Sequence, residues 1–240
     1  MPKPIDIDVW TWSLSPPPAV AARLAAHLTP DEEARARRYV NPLHGDQYRA
    51  GRGRLREILG GYVNERPAML PILTSATGKP TLAPGVPLTF NLSHTRDFAA
   101  LAVTRAPIAA LGLDIEAIRP IEHGIAQRFF SAAEVAALEA HSPQTRTEAF
   151  YRCWTRKEAF VKAQGEGLGF PLDAFDVSLT ADAPPALLRL AGSPAADLAR
   201  WHLVHLSERD LTPGVIGAIA IAAHRPMPSV CVTWHRNAGP

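Results

Sequence analysis

The chain has 240 residues, 47% of them apolar and 20% charged, with a formal net charge of +2. That length can bury a real core, as one large domain or two small ones. The near balance of charge excludes a global pull toward nucleic acid or a membrane surface and leaves only local patches. Two cysteines, Cys153 and Cys231, make neither a disulfide framework nor a metal site and fit a reducing compartment. Asp6 and Asp8 interrupt any apolar signal segment, and the longest apolar run, Val215 to Ala223, is too short to span a bilayer. These features predict a soluble cytoplasmic protein.

Ile5, Ile7 and Val9 alternate with polar or aromatic neighbours and predict a first strand. A short Ala-rich helix is expected after Pro16-Pro17-Pro18. Thr29-Pro30-Asp31-Glu32 opens another, with Thr as N-cap, Pro at the first helical position and Glu at the third. After a break near Asn41-Pro42, a longer helix is expected from Asp46 to Val63, weakened by Gly51 and Gly53. Arg35, Arg37, Arg38, Arg49, Arg52, Arg54 and Arg56 crowd this region. From charge alone they suit either a solvated basic face or a phosphate-rich ligand. The aromatic interleaving expected of a single-strand nucleic-acid binder is thin.

Thr77-Gly78-Lys79-Pro80 reads as a turn. Val86 to Leu92 and Phe98 to Thr104 read as a hairpin, with Ser93 to Asp97 as its connector. A lone His such as His94 at a strand end is as a rule a structural hydrogen-bonder. In Leu111-Gly112-Leu113-Asp114-Ile115-Glu116 the aliphatic residues share one face, and Gly112, Asp114 and Glu116 share the other. Two carboxylates on one strand face repel unless something positive lies between them, and a hard divalent cation such as Mg2+ is a natural partner. A solvated strand face is the competing reading.

Ser131-Ala132-Ala133-Glu134 is a second capping box. The run from Gln144 to Gln164 lacks Pro and Gly and predicts a long helix, closed by the glycines of Gly165-Glu166-Gly167. On it Phe150, Cys153, Trp154, Lys157 and Val161 form one stripe, and Thr155, Glu158 and Lys162 form the next. Only four of the 25 basic residues are Lys, and two of them, Lys157 and Lys162, lie here. Phe175 to Leu179, Ala186 to Leu190, Trp201 to Leu206, Val215 to Ala223 and Val230 to Trp234 read as strands.

The order of elements recurs. A strand, a capping-box helix and a long helix precede a group of strands twice, and the capping residues Thr29 and Ser131 stand 102 residues apart (131 minus 29). This predicts an α+β fold of two similar halves, residues 1–107 and 108–240, with a ligand cleft between them.

The motifs resemble those of the 4′-phosphopantetheinyl transferases, in their long, pseudo-dimeric (surfactin-synthetase-activating) branch. The resemblance is carried by Gly78-Lys79-Pro80, Phe90-Asn91-Leu92-Ser93-His94, Leu111 to Glu116, Phe129-Phe130-Ser131, Trp154 to Lys162, Gly165-x-Gly167-Leu168 and Pro171-Leu172, from about residue 28 to 225. It implies halves related by a pseudo-twofold axis. It implies transfer of the phosphopantetheine arm of coenzyme A to a serine of an apo carrier protein, with release of adenosine 3′,5′-bisphosphate, by a monomer that binds neither nucleic acid nor membrane. By position, Asp114, Glu116 and Glu158 would hold Mg2+, and Lys162 would neutralise phosphate charge. Lys79 and Pro80 would line the adenine pocket, Ser93 and His94 would contact phosphates, and one of Arg35, Arg37, Arg38 and Arg49, with Arg49 taken as the representative, would meet the 3′-phosphate. Catalysis would fall to Asp114, Glu158 and Lys162, with Glu158 as the first choice of base for the serine proton, directly or through water, and a metal-bound water as the competing account. A coenzyme A or nucleic-acid binding module without catalysis, and a metal-dependent pyrophosphate hydrolase, remain as alternatives.

Overall fold

The computed structural model describes residues 4–75, 78–165, 169–224 and 229–236. Thr77 of the Gly-Lys-Pro turn, and Gly167 and Leu168 of the second glycine motif, lie outside the described residues. The elements run β1 (Ile5–Ser13), α1 (Pro18–Ala25), α2 (Pro30–Arg37), α3 (Pro42–Val63), β2 (Ile72–Thr74), β3 (Pro80–Leu82), β4 (Thr89–Thr95) and β5 (Phe98–Thr104). They continue with β6 (Ala110–Ala117), α4 (Ile125–Phe129), α5 (Ala132–Glu139), α6 (Pro143–Gln164), β7 (Phe175–Val177), β8 (Leu187–Leu190), α7 (Ala195–Leu198), β9 (Trp201–Leu206), β10 (Val215–Ala222) and β11 (Val230–Arg236).

Local chemistry sets the helix boundaries. Both predicted capping boxes form, with Thr29 and Glu32 at the start of α2 and Ser131 and Glu134 at the start of α5 exchanging side-chain and backbone hydrogen bonds. Helix α3 starts one turn earlier than expected. Asn41 Oδ1 accepts from Leu43 N at 3.0 Å, and Pro42, at the first position, needs no donor. The glycines that weakened the expectation for α3 have a packing reason. A Cβ on Gly53 would lie 2.2 Å from the Leu24 carbonyl of α1, so glycine lets the two helices touch backbone to backbone. Helix α6 ends at Gly165 with φ of 79°, the left-handed cap foreseen.

The strands form two main sheets, in the orders β11-β1-β5-β4 and β6-β10-β9. The triplets β1-β5-β4 and β6-β10-β9 have the same antiparallel connectivity, and in each a long helix of 22 residues and a two-stranded sheet, β2-β3 or β7-β8, lie between the first strand and the other two. The predicted repeat is thus present in the topology. It reaches single residues: Glu32 of the first capping box pairs with Arg56 on α3 at 2.7 Å, and Glu134 of the second pairs with Lys157 on α6 at 2.7 Å. One strand crosses the expected division at residues 107 and 108. Strand β11 runs parallel to β1 and completes the first half's sheet.

The inner faces of the two sheets pack on each other: Leu111, Leu113 and Ile115 of β6 and Ile219 of β10 meet Ile7 and Val9 of β1 and Ala100 and Ala102 of β5. Helix α3 covers the outer face of the first sheet through Leu55 and Leu59 against Trp12 and Leu101. Helix α6 covers the second through Cys153, Ala159 and Phe160 against Ala218 and Ala220. Burying a side chain such as Phe160, fully enclosed, contributes about 1.5–3 kcal/mol. The sheets also meet edge to edge. Asn91, Ser93 and Thr95 of β4 accept hydrogen bonds from the backbone N–H groups of Leu113, Ile115 and Ala117 of β6. Among the described residues no helix is long and apolar enough to cross a membrane.

Candidate active site

The seam between β4 and β6 carries the acidic cluster. As the alternation predicts, Asp114 and Glu116 leave the outer face of β6, toward α6. The space at Gly112 is filled by that helix: a Cβ there would lie 1.9 Å from the carbonyl of Ala159. Gly112 therefore brings α6 close enough for Lys162 to pair with Asp114 and for Glu158 to feel the carboxylates of β6.

Asp114 is 4% exposed. Its Oδ1 accepts from Lys162 Nζ at 2.7 Å and from Ser93 Oγ at 3.2 Å, while its buried Oδ2 has no partner among the described residues. Burial pushes its carboxyl above the usual range, against the pull of Lys162. Glu116 accepts from Thr95 Oγ1 at 3.4 Å and is pushed up by burial and then by Asp114. Glu158 is pushed up by burial, next by Asp114 and, more weakly, by Glu116. Three carboxylates thus share one region with a single close ammonium. The exposed helix pair that bare spacing would suggest for Glu158 and Lys162 is replaced by an ion pair from Lys162 across to β6.

Among the described residues no group of three or more His, Cys, Asp or Glu side chains is placed to hold a metal ion as it stands. The donor set nevertheless fits a hard divalent cation. It offers three carboxylates and one buried oxygen with unmet acceptor capacity, whose desolvation a cation would offset.

A cavity of about 1100 Å3 lies beside this cluster, in the first half, lined by Arg35, Tyr48 and Arg52 from α2 and α3, by Gly78 and Pro80, and by Leu92, His94 and Arg96. His94 opens onto the cavity at the cluster's side. Burial lowers its pKa, Lys162 lowers it further, and Asp114 opposes both. The strand holding it extends through Thr95, so Ser93 and His94 belong to β4 and not to a connector. In an extended strand they diverge: His94 faces the cavity, and Ser93 is buried against Asp114 and Lys162.

Two expected ligand contacts are placed elsewhere. Arg49 does not line the cavity: Glu33 grips its Nε and Nη2 at 2.8 and 2.9 Å, and Asp46 takes Nη1 at 3.0 Å. Lys79 turns from the cavity to the carbonyls of Lys162, at 2.7 Å, and Leu111, at 3.3 Å, while its neighbour Pro80 stays on the wall. Most of the arginine-rich region is internally neutralised, since Glu32 takes Arg52 and Arg56 and Glu57 takes Arg54. Arg35, stacked over the Tyr48 ring, and Arg96 make no ion pair among the described residues. Arg96 escaped the sequence reading. Its signal is positional, because it turns the β4–β5 hairpin with φ of 52° and so projects at the cavity's edge.

An α+β fold with carboxylates at the seam of its sheets, and a cavity beside them lined by arginine, tyrosine and histidine, offers a candidate site for a phosphate-bearing ligand. Residues 110–219 match the model of the 4′-phosphopantetheinyl transferase superfamily. The 4′-phosphopantetheinyl transferase HetI of Nostoc sp. (strain PCC 7120) is 34% identical over 235 residues, 96% of this chain and 92% of that one. The 4′-phosphopantetheinyl transferase Sfp of Bacillus subtilis (strain 168) is 29% identical over 207 residues, 86% of this chain and 87% of that one. The chain belongs to the 4′-phosphopantetheinyl transferase family, in the long branch that includes Sfp.

Proposed function

We propose that the protein transfers the 4′-phosphopantetheine arm of coenzyme A to a serine hydroxyl of an apo carrier protein in a Mg2+-dependent reaction. The observation that carries this is the buried Oδ2 of Asp114, which has no hydrogen-bond partner among the described residues, on a carboxylate that Glu116 and Glu158 both feel electrostatically, with a cavity of nucleotide size beside it. Coenzyme A would lie with its adenosine end in the cavity, against Gly78 and Pro80, and its charged groups near Arg35, Arg96 and His94. Its pyrophosphate would reach the seam. Asp114, Glu116 and Glu158 would hold Mg2+, which supplies charge neutralisation on the pyrophosphate oxygens.

The chain's own groups do the rest. Lys162 sits against Asp114 with a compact positive charge and can turn it to phosphate oxygen as the new bond forms. Glu158, whose affinity for a proton is raised by burial and by its acidic neighbours, accepts the serine proton. The serine oxygen bonds to the phosphorus next to the pantetheine, the bond to the bridging oxygen breaks, and adenosine 3′,5′-bisphosphate leaves with the electron pair.

The internal pairing of Arg49, Arg52, Arg54 and Arg56 argues against a nucleic-acid surface. Buried Cys153 and exposed Cys231, both free thiols, suit a reducing compartment such as the cytoplasm. The test is to incubate the protein with coenzyme A, Mg2+ and a panel of apo-carrier proteins and weigh the carriers. The pantetheinyl mass increment on at least one carrier is expected, and its loss on chelation. Release of adenosine 3′,5′-bisphosphate without any carrier would make the protein a hydrolase instead.

A further inference from the structure

Strands β4 and β6 are the outer strands of their sheets, and no backbone pairing joins them. Their junction is a comb of side chains. Asn91 Oδ1 accepts from Leu113 N at 2.7 Å, Ser93 Oγ from Ile115 N at 3.2 Å and Thr95 Oγ1 from Ala117 N at 3.1 Å. The two-residue spacing of an extended strand matches on both sides, so one register satisfies all three donors and a one-residue slip satisfies none. All three side chains are buried.

The two hydroxyls bond further. Ser93 Oγ donates to Asp114 Oδ1 and also accepts from Lys162 Nζ at 3.0 Å, and Thr95 Oγ1 donates to Glu116 Oε2. A hydroxyl has one proton and two lone pairs. With a backbone N–H fixed on a lone pair, the proton is left to the carboxylate. Each carboxylate is then held by one named oxygen, and the other is presented; for Asp114 the presented atom is the partnerless Oδ2.

We propose that Thr95, with Ser93, is a positioning residue: its hydroxyl ties the register of β6 to the rotamer of Glu116 and so aims the free carboxylate oxygens at one divalent cation. This rests on the reading of Asp114, Glu116 and Glu158 as a cation site.

The test uses Mn2+ as the probe, titrated into the full chain with coenzyme A and followed by the resonance signal of free Mn2+. Thr95→Val keeps the shape and removes the hydroxyl, and Thr95→Ser keeps the hydroxyl and removes the methyl. Loss of such an outer hydrogen bond typically weakens metal binding 10–100-fold. Thr95→Val should therefore bind Mn2+ about tenfold more weakly, and Thr95→Ser within about twofold of the parent. In transfer assays the Mg2+ concentration for half-maximal rate should rise for Thr95→Val, with the saturated rate little changed. Parent-like Mn2+ affinity in Thr95→Val would overturn the proposal. So would an equal loss in Thr95→Ser, a variant mild enough to fold even where valine is not tolerated. Failure of the parent to bind Mn2+ would instead overturn the cation reading itself.

Discussion

Asp114 has one oxygen answered by Lys162 and Ser93 and another that nothing answers. An arrangement of that kind costs stability and persists where a ligand completes it. Asp114→Ala should lower transfer by at least about 100-fold, the scale of losing an electrostatic anchor in a buried site, with the circular dichroism spectrum unchanged. An unchanged rate would remove Asp114 from the machinery. The pH dependence of stability follows from the same burial. Asp114, Glu116 and Glu158 hold protons more tightly in the folded protein than in the unfolded chain. Their contribution is therefore present below the ordinary carboxylate range and lost as pH rises through the raised folded values. Glu158→Gln, measured without metal or coenzyme A, should raise Tm at mildly alkaline pH, and the gain should shrink on acidification. A gain that grows on acidification would contradict this. At this scale the sequence showed the carboxylates clearly, because strand alternation fixes their side. It did not show what neutralises the arginines: the Glu33–Arg49 and Glu32–Arg56 pairs join different helices, and only packing brings them together.

Helix α6 and strand β6 are the pair on which the site is built. The helix stripe read from spacing is real, since Phe150, Cys153, Lys157 and Val161 are all buried. Lys157 belongs to that stripe as an ion-paired core residue, donating also to the carbonyls of Leu172 and Phe175, and not as a solvent-facing charge. The closeness of the two elements depends on Gly112. Gly112→Ala would set a methyl group against the backbone of Ala159 and Ala163, at 1.9 and 2.5 Å. Backbone cannot swing aside as a side chain can, so this variant should lose about 3 kcal/mol or more in urea unfolding and lose transfer with it. A stable, active Gly112→Ala protein would show that α6 can be displaced without harm to the site. The element boundaries missed from sequence have local causes. Asn41 and Pro42 look like a break but form a cap, and Ser93 to Thr95 look like a polar connector but are a strand whose hydroxyls are spent on β6.

Across the whole molecule, the repeat was legible in the sequence because capping boxes and long helices recur in order. The parallel pairing of β11 with β1 was not, because it joins residues more than 200 positions apart and neither strand names its partner. Val230, Val232 and Trp234 pack onto the inter-sheet core, and His235 Nε2 donates a hydrogen bond at 2.8 Å to Asp8 Oδ1. Ending the chain before residue 229 should therefore lower Tm by about 10 °C or more, at roughly 2–4 °C per kcal/mol for a protein of this size. The acidic cluster lies on β6 and α6, outside that strand, so the transfer rate per folded molecule should be kept. Loss of rate without loss of Tm would place the last strand in the function and not in the framework.

The central claim is that carboxylates from β6 and α6 gather one divalent cation where the two halves meet. The most direct measurement is anomalous scattering from crystals grown with Mn2+ and coenzyme A. The account predicts a single strong peak at about 2.1–2.2 Å from oxygens of Asp114, Glu116 and Glu158, with the pyrophosphate completing its coordination. A peak that touches none of these side chains, or coenzyme A bound with no peak at all, would contradict it.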